Sequence, residues 1–235
     1  MKAFLLAAGF GTRLRPLTDS LPKCLMPING EPLLGIWLDL LESEKIDEVL
    51  INTHYFPEKV EEFISQRKNR VKIKLSFEEK LLGSGGTIFH NKDFVEGEEN
   101  FFVLYADNLT NISLRFLLDF HLAKKGIFTT YVYKTDVPRQ KGIFVAEPDT
   151  GKVLEFYEKP ENPKSNLANA GIGVLNKEIF NYFDKNKIFF DFGSDIMPKI
   201  INDMYILPTD LYIKDIGTIE DYNTAQKEWK LIKSQ

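Results

Sequence analysis

The chain has 235 residues, enough for one large α/β domain with a substantial core. Its 30 basic and 34 acidic residues leave a formal charge of −4, which argues against a non-specific nucleic-acid binder but leaves room for a small anionic ligand. The one cysteine, Cys24, cannot form an internal disulfide, and the opening apolar run is too short for a membrane span and lacks a signal-peptide layout. A cytoplasmic protein with no membrane partner is the expectation.

Hydrophobic patterning predicts a strand at Phe4–Ala8 and a helix at Pro32–Glu44 with proline in its first turn. A strand follows at Val49–Thr53, then a helix opening at Pro57-Glu58. Val71–Leu75 alternates as a half-buried strand does, and Phe101–Ala106 is apolar throughout. Leu114–Lys124 reads as the next helix. This β-α alternation implies a Rossmann-like α/β fold, a mixed and mainly parallel sheet flanked by helices. From Phe128 the rhythm changes to four strands, Phe128–Lys134, Gly142–Glu147, Val153–Glu158 and Ala168–Leu175, predicting an antiparallel extension. Helical patterns return at Lys177–Asn186 and Ser194–Asn202, and a last helix begins near Thr218. No linker divides the chain, so residues 1–235 are expected to form one domain, with a nucleotide-binding half at 1–125 and a second half at 126–235.

The first strand runs into Ala8-Gly9-Phe10-Gly11-Thr12-Arg13-Leu14, then Pro22-Lys23. Ligands of open α/β sheets bind beyond the carboxyl ends of the strands. Gly9 and Gly11 let the backbone approach an anion, Thr12 adds a hydroxyl, and Arg13 and Lys23 bring positive charge. A glycine-rich surface turn with scattered charges is the plainer reading. The spacing is not that of a dinucleotide fold, because Leu14 stands where a small residue is needed, and the Gly-Lys-Ser/Thr of an ATPase loop is missing. Asp107 follows an apolar strand and Asp215 ends Leu211–Lys214. Carboxylates at strand ends suit a hard divalent cation, although Asp107 as a turn former and Asp215 as a helix cap are the structural alternatives.

Leu6-Ala7-Ala8-Gly9-x-Gly11-Thr12-Arg13-Leu14 with Pro22-Lys23 resembles the signature of the nucleoside-diphosphate-sugar pyrophosphorylases, which join nucleoside triphosphates to sugar 1-phosphates. Gly83-Ser84-Gly85-Gly86-Thr87, Asp107, Glu158-Lys159-Pro160, Asn169-Ala170-Gly171 and Asp215-Ile216-Gly217-Thr218 resemble its later motifs in order, so the likeness covers almost the whole chain. It implies a nucleotide site at Leu6, Ala8, Gly9, Gly11, Thr12, Arg13, Lys23, Glu78, Gly83, Ser84 and Gly85. It implies Mg²⁺ or Mn²⁺ on Asp107 and Asp215. A sugar-phosphate site is implied at Gly142, Glu158, Lys159 and Asn169, with Glu158 accepting from hydroxyls and Lys159 meeting the phosphate. The resemblance assigns Gly83–Thr87 to contact with the base, where bare glycine backbone could admit a base and ribose; from spacing alone it is only a turn, and Lys159 is an ordinary solvated charge.

Catalysis by this route needs no protein nucleophile, since the sugar phosphate is itself the attacking anion; the implied catalytic residues are Arg13, Lys23, Asp107 and Asp215. Leu81–Thr87 most resembles guanylyltransferases acting on mannose- or manno-heptose 1-phosphates, which favours GTP over UTP and dTTP. The expected assembly is a monomer or small homo-oligomer, without the added β-helical or isomerase domain of some relatives. A non-catalytic sugar-nucleotide sensor and a glycosyltransferase are the rivals; the glycosyltransferase leaves the Gly9–Arg13 loop and Lys23 unexplained. His54, His90 and His121 lack metal-ligand spacing, Trp37 and Trp229 read as packing residues, and Cys24 has no histidine partner.

Overall fold

In the computed structural model residues 1–232 are described. In chain order the elements are β1 (Lys2–Leu6), β2 (Pro27–Ile28), β3 (Glu31–Pro32), α1 (Leu33–Ser43), β4 (Glu48–Thr53), α2 (Pro57–Gln66), β5 (Lys72–Phe77), α3 (Gly83–His90), β6 (Asn100–Tyr105) and β7 (Asn108–Thr110). They continue with α4 (Leu114–Lys124), β8 (Phe128–Lys134), β9 (Gly142–Ala146), β10 (Val153–Glu158), β11 (Leu167–Asn176), β12 (Met204–Pro208), β13 (Ile213–Asp215) and α5 (Ile219–Ile232). Local chemistry sets many of these bounds. Pro57 occupies the first turn of α2, where its missing N–H costs nothing. Ser113 caps α4 by accepting from Phe116 N–H, and Lys125 closes the helix in the left-handed region. Thr218 caps α5, accepting from Asp221 N–H while donating to the Asp221 carboxylate.

The chain forms two compact units, each built from three stretches. One, the hairpin unit, comprises Met1–Phe4, Leu82–Leu104 and Ser113–Asp210. Its strands run in the order β10-β9-β11-β6-β1, with β8 beside β11 and β12 beside β8. β10, β9, β11, β6 and β8 pair antiparallel where they meet, and β12 joins β8 in parallel. The other, the loop unit, comprises Leu5–Leu81, Tyr105–Ile112 and the chain from Leu211 onward. Its strands run β1-β4-β5, with β4 and β5 parallel, and β7 and β13 form a separate antiparallel ladder. Leu33, Leu34, Gly35, Ile36, Trp37, Leu38 and Leu41 of α1 are buried, so the first half of the helix is enclosed on all sides. The class is that expected, a mixed Rossmann-like α/β sheet flanked by helices with an antiparallel extension.

Four local expectations are corrected. β1 stops at Leu6, because Ala7 N–H leaves the ladder to donate to Asn52 Oδ1 at 2.7 Å. Gly83–Thr87 opens a helix instead of a turn: Gly85 and Gly86 N–H both donate to Phe190 O, which fixes the first turn of α3. Helix over Lys177–Asn186 shrinks to a 3-10 segment at Lys177–Tyr182, started by the Asn176 side chain. Over Ser194–Asn202 a π turn and two 3-10 turns replace the helix, since Pro198 removes a donor and its ring crowds the carbonyl one turn back.

Within the hairpin unit His121 is 1% exposed, with Nδ1 on Thr129 Oγ1 at 2.8 Å and Nε2 on Asn100 Oδ1 at 3.0 Å. An amide oxygen accepts, so Nε2 carries a proton, and it is the burial that favours the neutral ring. Burial pushes its pKa down to about 4. In the unfolded chain the ring takes up its proton near pH 6.5, so this contribution is whole above 6.5 and falls away as pH drops toward 4. Urea unfolding at pH 7.5 and 4.5 should therefore show a loss of roughly 2–3 kcal/mol that His121→Gln lacks. Equal pH dependence in both proteins would contradict the neutral, buried assignment.

Candidate active site

In the loop unit, the turn after β1 is organised around Gly11. Its φ of +62° lies in the left-handed region, and Leu14 N–H and Thr18 Oγ1 both donate to its carbonyl, at 2.9 and 2.8 Å. A Cβ there would lie 3.1 Å from Thr18 Cγ2 and 3.2 Å from Lys23 Cβ, so conformation and space both favour glycine. Gly9 differs: nothing lies within 4 Å of its missing Cβ, which leaves open backbone at the mouth of the loop. Leu6 ends β1, Ala8 is buried, and Thr12 and Arg13 form the 3-10 turn that follows.

Lys23 is folded back by its own 3-10 turn and is 8% exposed. Its Nζ stands 2.8 Å from Asp107 Oδ2 and 3.2 Å from Asp215 Oδ1. Burial works against the ammonium, but the two carboxylates outweigh it and raise its pKa above the ordinary lysine value. The carboxylates are brought together by the β7–β13 ladder, in which Asp215 pairs with Asn108 and Ile216 N–H donates to Asp107 O at 3.1 Å. Trp37 of α1 fixes the ladder from behind, its Nε1 donating to Asn108 O at 2.8 Å. Arg13 lies near the group: the position of a Cβ on Gly217 is 2.8 Å from Arg13 Nη2 and 3.0 Å from Asp215 Oδ1. Thus Lys23, Asp107 and Asp215, read from distant parts of the sequence, form one ion-paired cluster, with Arg13 beside it.

Glu78 is also in the loop unit and 3% exposed; its carboxylate accepts from Asn52 Nδ2 at 2.8 Å. Asn52 thereby joins Glu78 to Ala7 at the start of the loop. Asn52 was not singled out from the sequence, although an amide directly after the apolar run Val49-Leu50-Ile51, within the expected strand, was the available signal. His54 is a packing residue, edge-on to Phe10 with Nδ1 on Glu78 O at 2.7 Å. Cys24 is inert, its thiol pushed up to about 12 by burial.

In the hairpin unit the β9–β10 register sets Glu158 opposite Gly142. Glu158 Oε2 lies 2.9 Å from the position of a Cβ on Gly142 and the same distance from one on Gly193, so glycines floor the carboxylate on two sides. Burial pushes the Glu158 pKa up, Lys159 pulls it back, and Asp191 adds to the rise. Lys159 sits in the left-handed region at φ +48°, with Nζ 3.4 Å from Glu158 Oε1. With Arg139 it lines a cavity of 420 Å³. Asn169 Oδ1 accepts from Thr130 Oγ1 and Gly171 N–H. Asp191 and Arg139 were not singled out from the sequence; Arg139 is one charge in a mixed stretch, whereas Asp191 stands alone in the apolar run Ile188-Phe189-Phe190-Asp191-Phe192, which was an available signal. The glycines of α3 serve packing: a Cβ on Gly83 would fall 2.4 Å from Phe190 O, and one on Gly86 2.9 Å from Ile188 O. Ser84 Oγ accepts from Phe192 N–H at 2.9 Å.

The two loop glycines should separate by melting temperature. Gly11→Ala should cost about 1–2 kcal/mol for the left-handed backbone alone, and Gly9→Ala should melt with the unmodified protein. Equal losses in thermal denaturation would contradict the distinction.

Residues 2–230 match the Nucleotidyl transferase family. Mannose-1-phosphate guanylyltransferase 1 of Arabidopsis thaliana is 34% identical over 231 residues, which cover 96% of this chain and 63% of the relative. The UTP–glucose-1-phosphate uridylyltransferase of Synechocystis is 33% identical over 242 residues, covering 94% of this chain and 61% of the relative. The chain therefore spans somewhat under two thirds of the curated relatives it matches. HddC from Yersinia pseudotuberculosis, solved in complex with GMP-PN, has the same fold, with a TM-score of 0.82, 24% identity and coverage of 97% and 99% of the two chains. No helix among the described residues is long and apolar enough to cross a membrane. The chain belongs to the Nucleotidyl transferase family.

Proposed function

We propose that this chain is a sugar-1-phosphate nucleotidyltransferase, converting a nucleoside triphosphate and a sugar 1-phosphate into a nucleoside-diphosphate sugar and pyrophosphate. The observation that carries this reading is the Lys23–Asp107–Asp215 cluster, with Arg13 near it, beside an open-backbone glycine loop. Cations and open amides suit a triphosphate, and two strand-end carboxylates suit a divalent ion.

The donor set fits Mg²⁺ or Mn²⁺. Asp107 and Asp215 offer hard oxygens, and their shared contact with one ammonium supports a reading in which one cation engages both. Among the described residues no third acidic or imidazole group joins them, a sparse set of the kind Mg²⁺ uses when phosphates supply other ligands. Bound there, the ion would supply charge neutralisation at the α-phosphate.

The protein's own groups account for the rest. Gly9 admits the phosphates to the backbone, and Arg13 and Lys23 neutralise the triphosphate and the departing pyrophosphate. Glu158 accepts from sugar hydroxyls with Asp191 beside it, and Lys159 and Arg139 give the sugar phosphate a positive wall. The sugar phosphate's oxygen attacks the α-phosphorus as the bond to pyrophosphate breaks; no proton has to be removed from it first. Among bases we favour GTP, with a mannose- or heptose-type sugar 1-phosphate, and the Arabidopsis relative's name supports that choice. The Synechocystis relative's name supports UTP as the alternative.

Asp107→Ala and Asp215→Ala should each abolish metal-dependent turnover, a loss of roughly 3–4 kcal/mol of transition-state stabilisation. Near-normal rates at saturating Mg²⁺ would contradict the assignment. Glu158→Ala and Lys159→Ala should bind nucleoside triphosphate normally by calorimetry, yet raise the KM for sugar 1-phosphate by about 1–3 kcal/mol each. An equal loss of triphosphate affinity would remove the hairpin unit from the sugar-phosphate role.

A further inference from the structure

Lys23 is assigned above to the triphosphate, but its ammonium points elsewhere: it is bound to both carboxylates proposed to hold the metal. Its side chain is 10% exposed, so it is not a surface charge resting on the nearest acid. One ammonium on two carboxylates cancels half of their charge, so the pair offers a bare divalent ion less net attraction than two unbridged carboxylates would.

We infer that Lys23 is a placeholder cation, which keeps Asp107 and Asp215 converged until a metal–triphosphate complex arrives and then passes from the carboxylates to the phosphates. The inference rests on the metal reading given above and adds an order of events to it. Mg²⁺ binds oxygens at about 2.0–2.1 Å and demands near-ideal geometry, so it competes with an ammonium bridging the same two oxygens. A triphosphate removes that competition by offering Lys23 other anions. Metal affinity then depends on nucleotide through exchange of partners at Lys23, as well as through the phosphate ligands themselves. It follows that bare metal binds weakly to the unmodified protein because a cation is already in place.

Mn²⁺ binding, followed by electron paramagnetic resonance and calorimetry without nucleotide, tests this independently of turnover. Lys23→Met should bind Mn²⁺ at least about tenfold more tightly than the unmodified protein, the equivalent of about 1.4 kcal/mol. Its melting temperature should fall in chelator, where the two carboxylates face each other without a cation, and recover in Mn²⁺. If the variant folds only with metal, that rescue supports the same conclusion, and failure of Mn²⁺ to rescue it contradicts it. Unchanged or weaker Mn²⁺ affinity in a folded Lys23→Met would overturn the exchange. A control separates the two readings: unmodified protein with a non-hydrolysable triphosphate should bind Mn²⁺ in a manner lost in Asp107→Asn. If it binds none, the metal reading fails and the exchange falls with it.

Discussion

The ammonium of Lys23 between Asp107 and Asp215 is the contact on which the loop unit is arranged. Three parts of the chain, beginning at residues 23, 107 and 215, have no local reason to meet, and two carboxylates brought together alone would repel. One cation between them offsets that repulsion, and its two contacts join the three segments. The supporting contacts follow from that need. Gly11 adopts the conformation that brings the loop over Lys23, the β7–β13 ladder fixes the register of the aspartates, and Trp37 closes the ladder from behind.

Glycine is used here for three distinct physical reasons. Gly11 is required by its backbone angle, Gly9 is set apart by the open space beside it, and Gly83 and Gly86 are required by the approach of another backbone segment. Only the second kind leaves main chain exposed for a ligand. The glycine pattern of α3, which from sequence suggests room for a base, is largely taken up by residues 188–190. A nucleotide role for Gly83, Ser84 and Gly85 therefore rests on family likeness and on the faces Phe190 does not cover.

Elements whose pattern and end signals agree were legible in the sequence. α4 has a serine cap and an unbroken periodic face, and β8 and β10 are strand-like between turns, so their bounds were read correctly. Pro198 disrupted a region whose apolar spacing alone suggested helix. β7 and β13 were hidden because three-residue strands carry almost no period; their existence depends on pairing with each other. At the site, residue types and order suggested which groups belong together. The sequence could not reveal that Lys23 faces the aspartates, that Asn52 ties Glu78 to the loop, or that Asp191 and Gly193 border Glu158. Each of these depends on tertiary contacts between segments far apart along the chain.

The central claim is that the cluster and loop serve nucleotidyl transfer to a sugar phosphate. The most direct measurement is pyrophosphate release with Mg²⁺, across GTP, UTP, dTTP, CTP and ATP against a panel of sugar 1-phosphates. The account predicts release that requires both substrates and the metal, with GTP and a mannose- or heptose-type 1-phosphate giving the highest kcat/KM. No release with any pair, accompanied by tight binding of a finished nucleotide sugar, would contradict it and leave a sensor in place of an enzyme.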